Sequence, residues 1–296
     1  MTIVITGATG SQGGAVVRAL RAEGRPVRAL VRDIASPSAR ALAALGVTLA
    51  LGDFEDAATL NAALAGADGV FSVQPAPFAD RDSERRQGVA LIAAARRVGV
   101  RHFIHSSVSN TGDFRRMAGW AEGRWARNYW ESKADVENAA VAAGFPVLTL
   151  LRPAFMMENF AAPKAAGMFP DFAQGEIVTA VGPDTRIALI AAQDIGAAVA
   201  AALAAPERYA GQPIELAGDW LTLPEVAAIL TQAMGRPVTA HSADPTTLIG
   251  QGQSPGWVET QQWMNVVGYP ARPEAMAELG LIPTRFASWA IRANGG

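Results

Sequence analysis

The chain of 296 residues has no cysteine, three histidines, three tyrosines and two lysines, so its 25 basic residues are almost all arginine. Without cysteine there is no disulfide, no thiolate metal site and no cysteine nucleophile. His102, His105 and His241 are too few and too spread for a metal centre, and no metal is expected. Charge is also scarce, at 18% of residues with a net of -2, which excludes a disordered, solvating role. Nothing in it gives the basic footprint of a nucleic-acid binder. Long apolar runs are missing too. The most apolar stretch, 195–205, falls short of the ~20 residues a membrane span needs, so no membrane partner is expected. The first six residues lack a basic leader region and read as a strand, making a cytoplasmic location the default expectation.

Half of the residues are hydrophobic, enough to build one large α/β domain or two coupled ones. Strand-like runs at 3–6, 27–31, 47–51, 69–73, 102–105 and 147–151 alternate with helical patterns near 13–23, 38–45, 57–64, 83–98 and 120–143. Such alternation predicts an α/β fold with a doubly wound parallel sheet, a Rossmann architecture, covered on both faces. After Arg152 the pattern becomes irregular, with prolines at 153, 163, 170 and 183. A strand is expected at 186–191, a helix from Asp194, a strand at 213–216, and a capped helix opening at Thr222-Leu-Pro-Glu225 and running to Met234. These signals divide the chain into a nucleotide-binding domain, 1–152, and a mainly substrate-binding region, 153–296, with elements returning to the sheet.

The run Thr6-Gly7-Ala8-Thr9-Gly10-Ser11-Gln12-Gly13-Gly14 follows the first strand and opens a helix. Gly7 suits a tight turn, Gly10 a close approach to pyrophosphate and Gly13 helix–sheet packing, while the helix N-terminus offers free N–H groups to phosphate. Thr9, Ser11 and Gln12 belong to the same loop. Arg32, at the end of the second strand, could hold a 2′-phosphate with two hydrogen bonds, which favours NADP; the adjacent Asp33 would favour NAD. Tyr129-Trp-Glu-Ser-Lys133 puts a tyrosine and a lysine on one helix face. With three tyrosines and two lysines, that spacing arises by chance in roughly 2% of shuffled chains.

Several runs together resemble the NmrA-like group of atypical short-chain dehydrogenase/reductases. They are VITGATGSQGGAVVRAL at 4–20, VRALVRD ending at Asp33, GDFED at 52–56, LRPAFMMENF at 151–160, DIGAAVAAAL from Asp194, and LAGDWLT. The resemblance implies an NAD(P)-binding Rossmann domain with a small C-terminal substrate domain. It implies that Asp53 and Phe54 flank adenine, that Gln74 lies near the nicotinamide ribose, and that Pro153, Ala154 and Phe155 approach the carboxamide. In short-chain reductases such a lysine binds the ribose hydroxyls and, with oxidised nicotinamide, lowers the tyrosine pKa. The tyrosine protonates a carbonyl oxygen as hydride arrives. Lys133 and Tyr129 take those roles here. Ser106 and Ser107 follow the fifth strand, where a serine would polarise the carbonyl. Alignment with extended members of the superfamily puts that position near Val108, which leaves the serine role open between Ser107 and its neighbours, or else both serines satisfy backbone groups at the strand end.

The loop from Val108 to Trp120 either folds over the nicotinamide or is a mobile surface loop. Trp125, Met156, Met157 and Asn159 are candidates for the substrate pocket, with core packing as the alternative for such apolar residues. The expectation is an NADPH-dependent reductase of a small apolar carbonyl, quinone or related electrophile. The resemblance also leaves a non-catalytic, NADP(H)-sensing regulator as the alternative, and a reductase of cationic dyes or benzylic ethers as a third reading. Whether the chain pairs as a homodimer is left open.

Overall fold

The computed structural model describes residues 1–75 and 80–294. The chain alternates through β1 (Ile3–Ile5), α1 (Ser11–Ala22), β2 (Val27–Val31), α2 (Pro37–Ala44), β3 (Thr48–Leu51), α3 (Ala57–Leu64), β4 (Gly69–Ser72), α4 (Ser83–Arg97), β5 (His102–Ser106), α5 (Arg127–Ala142) and β6 (Val147–Pro153). There follow β7 (Phe155–Met156), α6 (Lys164–Met168), β8 (Glu176–Thr179), β9 (Arg186–Ile190), α7 (Ala192–Ala204), α8 (Pro206–Tyr209) and β10 (Pro213–Leu216). The last elements are β11 (Asp219–Thr222), α9 (Leu223–Met234), β12 (Thr239–Ser242), α10 (Pro245–Gly250), α11 (Pro255–Val266), α12 (Pro273–Glu278) and α13 (Phe286–Asn294).

The seven-stranded sheet has the order β10-β6-β5-β4-β1-β2-β3, and the ladders from β6 through to β3 are parallel. Its middle strand, β1, is wholly buried at Ile3, Val4 and Ile5, as a strand covered on both faces must be. The chain order reverses beside β1, which neighbours both β2 and β4, and ligands of open α/β sheets bind at such a switch point. Local signals set the helices. Ser36 caps α2 by accepting from Ala39 N, and Asp56 caps α3 by accepting from Ala58 N and Thr59 N. Leu60, Leu64, Leu91, Phe103 and Val136 form the core on one side of the sheet, where Phe103 stacks on Phe145 at 4.5 Å between centroids.

Two glycines govern helix packing. A Cβ at Gly196 of α7 would meet Ala15 O of α1 at 2.7 Å, so only glycine lets these helices approach so closely. At Gly88 of α4 a Cβ would meet both methyls of Val136 on α5 at 2.6 Å.

Two compact units emerge. The first comprises residues 1–112, 127–152 and 195–214; the second comprises 113–126, 153–194 and 215–296. The division departs from a single cut after Arg152 in that 113–126 groups with the second unit. The helix expected from Trp120 begins at Arg127. Gly123 has φ +70°, outside any helix, and Phe114, Met117, Trp120 and Trp125 are buried. The segment is therefore a packed part of the second unit, held by Phe114 edge-on to Trp120 at 4.8 Å and by Trp263 Nε1 donating to Met117 Sδ.

Within the second unit, β11-β9-β7 and β12-β8 form two small sheets. An aromatic core joins Phe155, Phe160, Phe169, Trp257, Phe286 and Trp289, with neighbouring centroids 5.2–6.1 Å apart. The capping box is present: Thr222 Oγ1 accepts from Glu225 N, and Glu225 accepts from Thr222 N at 2.8 Å. Among the described residues no helix is long and apolar enough to cross a membrane.

Candidate active site

The glycine-rich loop turns at Gly7, whose φ of +59° suits glycine, and Gly10 N donates to Gly7 O at 2.9 Å to close the turn. Gly10 is the N-cap of α1 and supplies no side chain, and the helix carries no acid in its first turn. Its leading N–H groups and partial positive charge are left for an anion. A Cβ at Gly13 would sit 2.3 Å from Gly7 O and 2.7 Å from Thr6 O, so the loop folds this tightly only with glycine there. Thr6 Oγ1 ties the loop to β4 by donating to Val73 O at 2.9 Å and accepting from Val73 N at 2.8 Å. Gly7, Thr9 and Gly10 are exposed, while Ser11 and Gln12 are half-buried. The cradle, open on one side and lined by backbone donors, fits a pyrophosphate.

Beyond β2, Arg32 is exposed and makes no ion pair among the described residues. Asp33 is otherwise engaged: Oδ1 accepts from Ala35 N at 2.7 Å, in the turn that leads into α2. Beyond β3, Asp53 Oδ1 accepts from Glu55 N at 3.0 Å, and Phe54 packs partly buried against the α3–α4 core. Asp53 keeps an exposed face, whereas most of the Phe54 ring is taken up by packing.

The sites expected at the ends of β4 and β5 meet α5 in a buried polar layer. Ser106 Oγ donates to Gln12 Oε1 at 2.7 Å, linking β5 to the glycine-loop helix. Gln74 Nε2 donates to Ser72 Oγ, which in turn bonds His105 Nδ1 at 3.1 Å. Ser107 Oγ donates to Glu137 Oε1 at 2.5 Å, and Glu137 also receives Arg152 at 3.0 and 2.6 Å. The Ser107 proton is thus committed to a carboxylate. A hydroxyl has one hydrogen to give, so in this arrangement Ser107 offers none to a carbonyl.

Lys133 Nζ donates to Glu84 Oε1 on α4 at 2.7 Å and lies 4.8 Å from the Tyr129 ring centroid. Burial works against the Lys133 charge, yet Glu84 beside it, with Tyr129 and Glu137, holds its pKa above the ordinary lysine value. Burial pushes the Tyr129 phenol up; Lys133 pulls it down, and Glu84 adds to the rise. The net direction is upward, because desolvation outweighs a lysine already paired with a carboxylate. Tyr129 is a protonated phenol at neutral pH, suited to donating rather than accepting. His105 is wholly buried and its pKa falls to about 4, so it is neutral there.

Sequence reasoning missed Glu84, Glu137, Arg152, His105 and Ser72. Only Glu137 carried a visible signal, one helical repeat beyond Lys133 on the same face.

In the second unit, Ala154 N donates to Leu216 O, and the Phe155 ring stacks on Trp257 at 5.7 Å. Two of the pocket candidates are buried. Met157 is 0% exposed and packs beside Gly218, and Trp125 is buried with Nε1 donating to Ala118 O at 2.6 Å. Both serve the core of their unit. Met156 and Asn159 stay partly exposed.

A family model described as the NmrA-like family matches residues 1–262. The chain is 35% identical over 237 residues to an NAD(P)H azoreductase of Xenophilus azovorans, covering 80% of this chain and 75% of that protein. It is 31% identical over 240 residues to quinone oxidoreductase 2 of Escherichia coli K12, covering 80% and 76%. The crystal structure of Citrobacter sp. triphenylmethane reductase complexed with NADP(H) matches with a TM-score of 0.79 at 20% identity, over 99% of this chain and 100% of that one. The glycine loop, the parallel sheet and these matches lead to one conclusion: this chain belongs to the NmrA-like family.

Proposed function

We propose that the chain is an NADPH-dependent oxidoreductase that reduces a small apolar acceptor, a carbonyl, quinone or azo compound, with Tyr129 as proton donor and Lys133 as cofactor anchor. The observation that carries this reading is the Tyr129–Lys133 pair, its lysine buried and its tyrosine partly buried, in the same unit as a glycine loop that leaves a helix N-terminus open to phosphate. When bound, the nicotinamide supplies the hydride. The N–H groups of α1 would hold the pyrophosphate, and Arg32 would hold the 2′-phosphate by a charge-assisted contact. Lys133, kept charged by Glu84, donates to the ribose hydroxyls.

Reduction of a carbonyl, quinone or azo group consumes one hydride and one proton. Tyr129 gives its proton to the oxygen or nitrogen made negative by hydride arrival and is reprotonated from water. With Ser107 bonded to Glu137, Tyr129 is the donor on this site. The acceptor class is supported by the printed activities of the 35% and 31% identical relatives. Met156, Asn159 and the backbone at Pro153, Ala154 and Phe155 remain the candidates for the acceptor and carboxamide side.

The test is NADPH oxidation across a panel of quinones, azo dyes, aldehydes and apolar ketones, with NADPH and NADH titrated calorimetrically on the same protein. Turnover with at least one acceptor, and tighter NADPH than NADH binding, is the expected result. Tight NADPH binding with no turnover across the panel would favour a nucleotide-sensing regulator.

A further inference from the structure

The close approach of α4 to α5 at Gly88 brings Glu84, one turn before Gly88, to Lys133, one turn before Val136. Both side chains are shielded, with 6% of Glu84 and 11% of Lys133 exposed. The titratable groups facing Lys133 are Glu84 from α4, Tyr129 and Glu137 from α5, and His105 from β5. His105 is neutral, and Glu137 is bonded to Arg152 and Ser107. Glu84 is therefore the carboxylate left to balance the lysine. An ammonium has three N–H donors, and the bond to Glu84 uses one. Glu84 Oε2 is buried with no partner among the described residues, so a second acceptor stands unused beside the ammonium.

We infer that Glu84 is a positioning residue for hydride transfer: its carboxylate fixes the charge and direction of Lys133, leaving two N–H groups for the nicotinamide ribose, and its free oxygen accepts from a hydroxyl or water there. The inference rests on the proposed role of Lys133 as cofactor anchor. Glu84 acts through Lys133 and touches no reacting atom.

Three variants test it: Glu84→Gln, Lys133→Met and the double variant, with NADPH affinity measured by calorimetry and kcat/KM for NADPH followed against pH. Glu84→Gln is expected to weaken NADPH binding about tenfold, comparable to loss of a charge-assisted contact. It should also move the alkaline limb of the profile down by about one pH unit or more, because a buried lysine without its counter-charge loses its proton more readily. In the Lys133→Met background, Glu84→Gln should add less than about twofold, as for two residues acting as one unit. Glu84→Asp, which restores the charge, should bring the limb back up, a recovery that a purely structural role does not give. It also serves if Glu84→Gln fails to fold.

If Lys133→Met binds and turns over NADPH like wild type, the role of Lys133 fails and takes this inference with it. If Lys133→Met is impaired while Glu84→Gln leaves affinity and the alkaline limb unchanged, the role of Glu84 alone is overturned.

Discussion

Acidification should destabilise the first unit through His105. The imidazole is buried under the end of β5, bonds Ser72 through Nδ1, and leaves Nε2 without a partner among the described residues. Burial is the main cause that brings its pKa from 6.5 to about 4; Glu137 opposes the shift and Lys133 supports it. The sign follows from proton counting. Above the unfolded value both states are neutral and His105 contributes nothing. As the pH falls through 6.5 the unfolded chain takes up a proton that the folded chain refuses until about 4, so folding loses free energy across that window. The full shift is worth roughly 3 kcal/mol, and the loss at about pH 5 is ~2 kcal/mol. The assay compares urea unfolding of wild type and His105→Gln at about pH 7.5 and about pH 5. Other titrating groups are common to both proteins and cancel in the difference. The variant is expected to lose ~2 kcal/mol less than wild type on acidification. An unchanged gap between the two proteins at both pH values would refute the reasoning.

Other perturbations follow from the same geometry. Gly13→Ala puts a Cβ against Gly7 O and Thr6 O, and calorimetry should show NADPH binding weakened by at least about tenfold as the phosphate cradle opens. Arg32→Ala should weaken NADPH by about tenfold or more while leaving NADH within about twofold, since only the 2′-phosphate loses its partner. Glu137→Ala removes the shielded carboxylate that receives the Arg152 guanidinium, and denaturant unfolding should show a loss of about 3–5 kcal/mol. Its effect on stability should exceed that of Ser107→Ala, which removes a single bond to the same carboxylate.

What could be read from the chain was local. The glycine loop is contiguous, with strand, turn and helix inside twenty residues, and each glycine answers a steric demand of its neighbours. The Thr222–Glu225 capping box was legible for the same reason. Glu84 was not. It lies in the charged run Arg81–Arg86, which looks solvated, and its partner is 49 residues away; helix packing at Gly88 turns it inward. The role of Ser107 also depended on a distant group, Glu137, which claims its proton. Residues 120–126 read as helix because tryptophan, alanine, glutamate and arginine there continue the pattern of the following helix, but Gly123 and the packing of Trp120 and Trp125 fold them otherwise. The small sheets of the second unit rest on strands of two to five residues, several too short to carry a period-two signature. For Met157 and Trp125 the sequence left pocket lining and core packing as alternatives, because an apolar side chain near a motif suits either; both are buried.

The central claim is that a protonated Tyr129 completes hydride transfer on the Lys133-anchored cofactor. Its most direct test is kcat/KM for NADPH-dependent reduction of the best acceptor in wild type and Tyr129→Phe, with NADPH affinity confirmed equal in both. A fall of at least about a hundredfold in the variant is predicted, as for loss of a positioned general acid. A value within about threefold of wild type would contradict the claim and assign the proton to another source.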